Sequence, residues 1–379
     1  MLESVREEIH KLKTDKLMLI VCLIIPVCVN LIIGWQLTKG VIDHVPMAII
    51  DYDDSQLSRQ IIGYFKDNEA FNVTDQIQDE LELKKLLDES SVRVGMIIPK
   101  NFSADVTSLK SPTILMMYDG SHMSMVSVAK AKASEILISV RVGAATKQIQ
   151  NRFNKSYDEA FTMAMPVSFE TRMLYNPAKN FSYFMTPGYG TIICQLGIAF
   201  MAVVSVTVNW NKEKRRNDLG YILGKVGFYG ILGSIAIVIN LITQIYVFNI
   251  PYRGSLMVGI ALSILFILAV SALAVAVSSW FNNRVLAMAI VGLLLIPNSV
   301  MAGYTWPVMS MLPSYQWMSR LIPFTHYGDP IRDLFLKGKM INGASHMRFL
   351  MLYVASMILI AMIGITVRKL GKPKEADNR

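Results

Sequence analysis

"LMLIVCLIIPVCVNLIIGWQL", residues Leu17–Leu37, holds twenty-one residues and no charged side chain. Crossing about 30 Å of hydrocarbon at 1.5 Å per helical residue needs about 20 such residues. The stretch is too long for the apolar core of a signal peptide, and no small-residue cleavage site follows it, so it reads as an uncleaved signal-anchor. Five more stretches of this kind follow: Pro187–Trp210, Val226–Phe248, Ser255–Trp280, Val285–Tyr304 and Phe349–Val367, none containing Asp, Glu, Lys, Arg or His. The chain as a whole is 53% hydrophobic and 17% charged, an unusual combination for a soluble domain.

Charge sets the expected topology. The formal net charge is +9. The excess gathers beside the span ends, at Lys11, Lys13 and Lys16, at Lys212, Lys214, Arg215 and Arg216, and at Arg368, Lys369, Lys372 and Lys374. That is positive-inside patterning rather than a nucleic-acid face. It predicts cytoplasmic N- and C-termini, an outer segment from 38 to 186, and a tail at 368–379 on the inside. The N-terminal residues 1–16, with Leu2, Val5, Ile9 and Leu12 on one helical face, predict an amphipathic helix lying on the inner leaflet. Cys22, Cys28 and Cys194 all fall within spans, and their spacing makes no metal site.

The long gap after the first span carries strands alternating with helices. Met47–Ile50, "FNVTD", "VRVGMIIP" and "TILMMYDGS" read as strands. Helices are expected after a cap at Asp53, Asp54 or Ser55, over "DELELKKLLDES", from Phe102, and from Ser124 to Tyr157. The expected fold class is an α-helical polytopic membrane protein with six transmembrane helices, plus an α/β extracytoplasmic domain with a mixed sheet inserted between helices one and two.

No GxxxxGK[ST], HExxH or CxxC occurs, which excludes P-loop ATP binding by this chain. Asp51, Asp53 and Asp54 fit a strand-end turn and helix cap better than a metal site. His44, His122, His326 and His346 are scattered. A gradient-driven transporter carries ionisable groups within its spans. The polar residues at depth here are amides instead: Asn30, Gln195, Asn240, Gln244 and Asn298. Asn240 and Gln244, four apart on one helical face, with Asn298, are candidates to line a substrate path.

Three further stretches carry a resemblance. They are "MAIIDYDDSQLSRQI", "YNPAKNFSYFMTPG" and, most specifically, "AGYTWPVMSMLPSYQWMSRLIPFTHYGDPIRDLFLKG" from Ala302 to Gly338. Together with the order of one span, a large insert and five spans, the chain resembles the ABC-2 type exporter permeases over nearly its whole length. The resemblance implies a membrane subunit without its own catalysis or cofactor, pairing with two ABC ATPase subunits and with a second copy or a similar permease in a bacterial inner membrane. A periplasmic or envelope adaptor is a further partner the family allows. The substrate class it implies is an amphipathic or hydrophobic compound: a drug, lipid or peptide.

The resemblance also implies residue roles. A coupling segment at 210–224 would meet the ATPase through Trp210, Lys212, Glu213, Arg215, Arg216, Asp218 and Leu219. Glu213 fits the first acidic position of the family pattern, whereas the second Glu and the following Gly-Thr are absent. A re-entrant outer gate at 305–345, with Tyr304 at its edge, would use Tyr304, Trp306, Pro307, Met311, Pro313 and Pro323. Prolines there break helices into short pieces, and Tyr304, Trp306, Tyr315 and Trp317 suit an interface of water and lipid. A receptor or assembly scaffold held by non-transporting spans is the competing reading. ATPase co-purification separates the two.

Overall fold

The computed structural model describes residues 1–209 and 218–370. It divides into two compact units, Met1–Gly40 with Met173–Arg379, and Val41–Arg172.

The first unit is helical. Helix α1 spans Leu2–Thr14. Among the described residues six helices are long and apolar enough to cross a membrane: Lys16–Gln36, Phe181–Thr207, Asp218–Val247, Leu256–Trp280, Arg284–Met301 and Gly343–Leu370, here spans one to six. Local chemistry sets their ends. The Asp15 carboxylate accepts the Leu17 N–H at the start of span one, and the Asn180 side chain accepts the N–H groups of Ser182 and Tyr183 at the start of span two. Proline and wide turns interrupt the ladders, as Pro26 and a π-helical turn at Ile20–Ile24 in span one, and Pro187 in span two. Span three closes on a π-helical turn at Thr243–Val247.

Spans two, three and four make the interior, and spans one, five and six bury only about a quarter of their residues within the chain. The core joins Ile198, Ala202 and Val203 of span two to Leu232 of span three and to Leu262, Phe266 and Val270 of span four. Gly233 of span three lets these helices approach closely, since a Cβ there would lie 2.6 Å from Ile267 and 2.9 Å from Ile198, and close approach is how helices gain packing energy where the surroundings are equally apolar.

The second unit is α/β. Its strands are β1 (Val45–Asp51), β2 (Phe71–Gln76), β3 (Val94–Ile98) and β4 (Leu115–Tyr118), in the order β2-β1-β3-β4. β1 pairs in parallel with β2 and β3, and β3 pairs antiparallel with β4. Helices α2 (Gln56–Lys66), α3 (Glu80–Asp88), α4 (Phe102–Thr107), α5 (Met123–Phe153) and α6 (Tyr157–Ala164) connect and follow the strands. Alternation along β1 decides the layers. Met47 and Ile49 pack with Ile61 and Phe65 of α2 and Ala129 and Ala133 of α5. Ala48 and Ile50 face the other way, towards Leu83 of α3.

The Asp51–Asp54 turn is a cap. Asp51 accepts the N–H groups of Asp53 and Asp54 and the hydroxyl of Ser58, while Ser55 and Ser58 form a reciprocal capping box at the start of α2. No group of metal-ligating side chains occurs among the described residues.

Beyond span five the chain breaks into short helices: a single 3-10 turn at Val308–Ser310, α7 (Pro313–Ser319) and α8 (Thr325–Leu336). Pro307 precedes the first, Pro313 opens α7, and Pro323 separates α7 from α8.

Burial adds to one expectation and corrects another. Helix α1 keeps Leu2 and Ile9 exposed and packs Val5 and Leu12 against the spans, and beside them it buries two polar residues that the apolar pattern does not indicate, Ser4 and Glu8. Span three begins at Asp218 and so takes in Lys225, which is completely buried.

Candidate functional site

At one end of the helical unit a charged network fastens α1 to spans two and three. Glu8 Oε1 accepts from Lys225 Nζ at 2.5 Å, from Ser205 Oγ at 2.7 Å and from Lys11 Nζ at 2.7 Å. Tyr229 donates its hydroxyl to the other carboxylate oxygen at 2.8 Å, and Lys225 also donates to Ser205 at 3.0 Å. Glu8 and Lys225 are both 0% exposed. Burial alone pushes the Glu8 carboxyl up, but the Lys225 ammonium and the hydrogen bonds from Lys11, Lys225 and Ser205 outweigh it and hold the group at about 2. A buried carboxylate persists only with this degree of pairing.

The same end gathers other charges. Asp218, the first described residue of span three, pairs with Lys369 near the end of span six at 2.6 Å. Arg368 donates to the backbone carbonyls of Ser278 and Ser279 at the end of span four. Leu219 beside Asp218 is exposed. Trp210, Lys212, Glu213, Arg215 and Arg216 lie outside the described residues, as do tail residues 371–379. What is described of the candidate coupling segment is its span-three flank, anchored through Asp218 to span six.

At the opposite end of span two, Tyr304 is the centre of an aromatic cluster. It is only 2% exposed, in contrast to the interfacial position expected of it, while Trp306, Tyr315 and Trp317 are exposed. The Gly188 N–H donates to its hydroxyl at 2.8 Å, and the hydroxyl donates to the Phe184 carbonyl at 2.9 Å. A Cβ on Gly188 would lie 2.3 Å from the Tyr304 ring, so only glycine admits this approach. The Arg332 guanidinium of α8 sits over the rings of Phe184 and Tyr304, 4.3 and 4.5 Å from their centroids, and donates to the Tyr304 carbonyl. Tyr327 of α8 stacks on Phe266 of span four at 4.4 Å and shares its hydroxyl with Thr191 and Ser263. Both hydroxyls are buried and hydrogen-bonded within this cluster. Through these contacts the short-helix stretch is tied to spans two and four. Pro307, Met311, Pro313 and Pro323 shape its backbone.

The amides divide into two buried groups within the chain. Gln244 donates to the Thr186 carbonyl and to Asn240, both at 3.1 Å, and the side-chain oxygens of Asn30 of span one and of Asn240 both face Gly190, where a Cβ would lie 2.6 Å from each. Asn298 and Gln195 approach each other at 3.5 Å, and Gln195 reaches the Leu295 carbonyl. Asn240, Gln244 and Asn298 thus sit between packed helices.

Sequence reasoning missed Glu8, Ser205, Lys225, Tyr229, Gly188 and Arg332. A signal for Lys225 existed: it is the one cation in "YILGKVGFYG", at the very edge of an apolar run. The pairing of His326 with His346, Nδ1 to Nδ1 at 3.1 Å with His326 stacked on Phe349, was also hidden by their twenty-residue separation.

Residues 16–367 match the family described as ABC-2 family transporter protein. Among similar proteins are the "Probable multidrug ABC transporter permease YbhS" of Escherichia coli strain K12, 24% identical over 49% of this chain and 52% of that one, and the "Probable multidrug ABC transporter permease YbhR" of the same strain, 20% identical over 83% and 84%. The "Inner membrane transport permease YhhJ" of that strain is 23% identical over 88% of this chain and 87% of its own length. The chain thus spans about half the length of the first of these relatives and more than four-fifths of the other two.

Proposed function

This chain belongs to the ABC-2 transporter family, and from that premise we propose that it is the membrane-spanning permease subunit of an ATP-driven exporter. It moves an amphipathic or hydrophobic compound out of the cytoplasm or inner leaflet. ATP is hydrolysed in separate subunits, two of which bind the end that carries Glu8, Lys225 and Asp218. That end is cytoplasmic, and the unit Val41–Arg172 is extracytoplasmic. The basic clusters beside the span ends support this orientation.

The observation that carries the reading is the Glu8–Ser205–Lys225–Tyr229 network. It couples α1 rigidly to spans two and three, the two helices that flank residues 210–217. A push from an ATPase on that segment or on α1 would move both spans together, because breaking the network leaves a buried charge unpaired. The Tyr304–Gly188 contact at the far end of span two gives that motion a place to act, on the short helices of the outer gate. Two such permeases form one pathway, and the apolar faces left exposed on spans one, five and six are available for the second copy and for lipid. The names of the relatives, multidrug and transport permeases, support a transported drug-like compound as substrate.

The test is purification of the tagged chain in mild detergent with mass spectrometry of its companions. A stoichiometric P-loop ATPase supports the proposal, and a stable complex with envelope proteins alone would replace it with the scaffold reading. Within the purified complex, Glu213→Ala should lower transport-linked ATPase activity without changing expression or size.

A further inference from the structure

The α/β unit carries a groove of about 740 Å³ between α2, α4 and α5 that the transport function does not use. Its apolar floor is Leu57, Val106 and Leu109, and amide and hydroxyl side chains such as Gln148 surround the floor. Lys147 and Arg152 of α5 complete the lining, which holds no acidic side chain among its thirteen residues. Both cations are exposed, and among the described residues neither forms an ion pair. Two acids beside α4 are already engaged: Asp53, in the turn before α2, accepts the Ser103 N–H, and Asp105 of α4 pairs with Lys110.

Leu109 supplies an independent observation. It follows α4 at φ +60°, the left-handed conformation that helix ends ordinarily reserve for glycine. The Lys110 N–H returns to the Asp105 carbonyl, so the backbone makes the usual helix-ending turn. A leucine here is strained and is also 49% exposed. Strain of this kind is retained where a side chain has work to do, and this one lines the groove.

We propose that the groove binds a small anionic amphiphile, a compact apolar body bearing a carboxylate, sulfonate or phosphate. Leu57, Val106 and Leu109 cover the apolar body. Lys147 and Arg152 meet the anionic group, and Gln56 and Asn151 of the same lining hydrogen-bond what lies between, the Gln148 amide being already committed to the Val106 carbonyl. The cavity is of the size and mixed character usual for small-molecule sites. This inference is independent of which compound the spans transport.

The test uses the full chain in nanodiscs of zwitterionic lipid, with radiolabelled octanoate as probe, equilibrium dialysis as readout and empty nanodiscs as background. Octylammonium serves as the charge-inverted control. Saturable octanoate binding is expected, with octylammonium weaker by at least about tenfold, and the double variant Lys147→Glu with Arg152→Glu weaker by about the same factor. Leu109→Gly is expected to raise the melting temperature of the unit and yet weaken octanoate binding. That opposition distinguishes a binding role from a structural one and stands even where the charge-reversed variant fails to fold. Octanoate uptake no greater than in empty nanodiscs, equal binding of octylammonium, or unchanged binding by Leu109→Gly would overturn the proposal.

Discussion

Lys225 and Glu8 lie 217 positions apart in the chain and meet in an ion pair of 2.5 Å, with neither side chain exposed to solvent. Helix α1 is thereby held to the span bundle by charge as well as by apolar packing. Helices commonly dock by their greasy stripe, and this one turns its carboxylate inward.

Replacing one partner alone leaves a buried charge without its counter-ion. Glu8→Gln or Lys225→Met is expected to destabilise the helical unit by about 3–5 kcal/mol. The pair Glu8→Leu with Lys225→Met should recover most of that loss, because apolar side chains of similar volume fill the site. Thermal unfolding of the four proteins in one detergent checks it, and equal losses in single and double variants would contradict the network.

The ordinary value of a glutamate here is 4.5, and Glu8 is held at about 2. A folded value depressed in this way contributes stability that is complete above the unfolded value and is lost as pH falls from about 4.5 towards 2. Hydrogen exchange of α1, corrected for intrinsic rates, should therefore show steady protection from neutral pH down to that window and release within it. Glu8→Gln should lack this acid-dependent release.

Tyr304→Phe removes a hydroxyl that serves Gly188 and Phe184 and keeps the ring in its stack. The expected cost is about 1–3 kcal/mol. Gly188→Ala drives a methyl to 2.3 Å from the same ring and should disturb the gate more, releasing α8 to proteolysis or labelling. Gly227→Ala meets nothing within 4 Å and should be neutral or slightly stabilising. Comparison of the three by thermal unfolding and cysteine labelling in α8 decides whether the contact holds the gate.

The pair of Asp218 and Lys369 is partly exposed, at 26% and 48%. Lys369→Ala is expected to change thermal stability by no more than about 1 kcal/mol. It should nevertheless lower substrate-stimulated ATPase activity of the assembled complex several-fold if this pair anchors the coupling segment. Unchanged stimulation would limit Asp218 to a local structural role.

The apolar runs alone announced six membrane-capable helices, and the strand-helix alternation announced the mixed sheet. Both are legible in one dimension. Transfer of apolar side chains out of water is roughly additive along a stretch, and strand and helix periodicities are local. The proline-broken pieces after span five are legible for the same reason, since a proline acts on its own turn. Which face each helix presents to the others is a different matter. Leu2, Val5, Ile9 and Leu12 mark an apolar stripe on α1, of which Val5 and Leu12 pack on the spans, yet Ser4 and Glu8 are buried as well, and for Glu8 the reason is that Lys225, Ser205 and Tyr229 supply a pairing energy that no residue near position 8 reveals. Tyr304 has the composition of an interfacial aromatic and becomes interior because Gly188, distant in sequence, leaves room and a free N–H for it. The sequence by itself determined which segments leave water. Only the tertiary structure decided which polar groups they take with them, since desolvating a charge is tolerated solely where its partners from other helices converge.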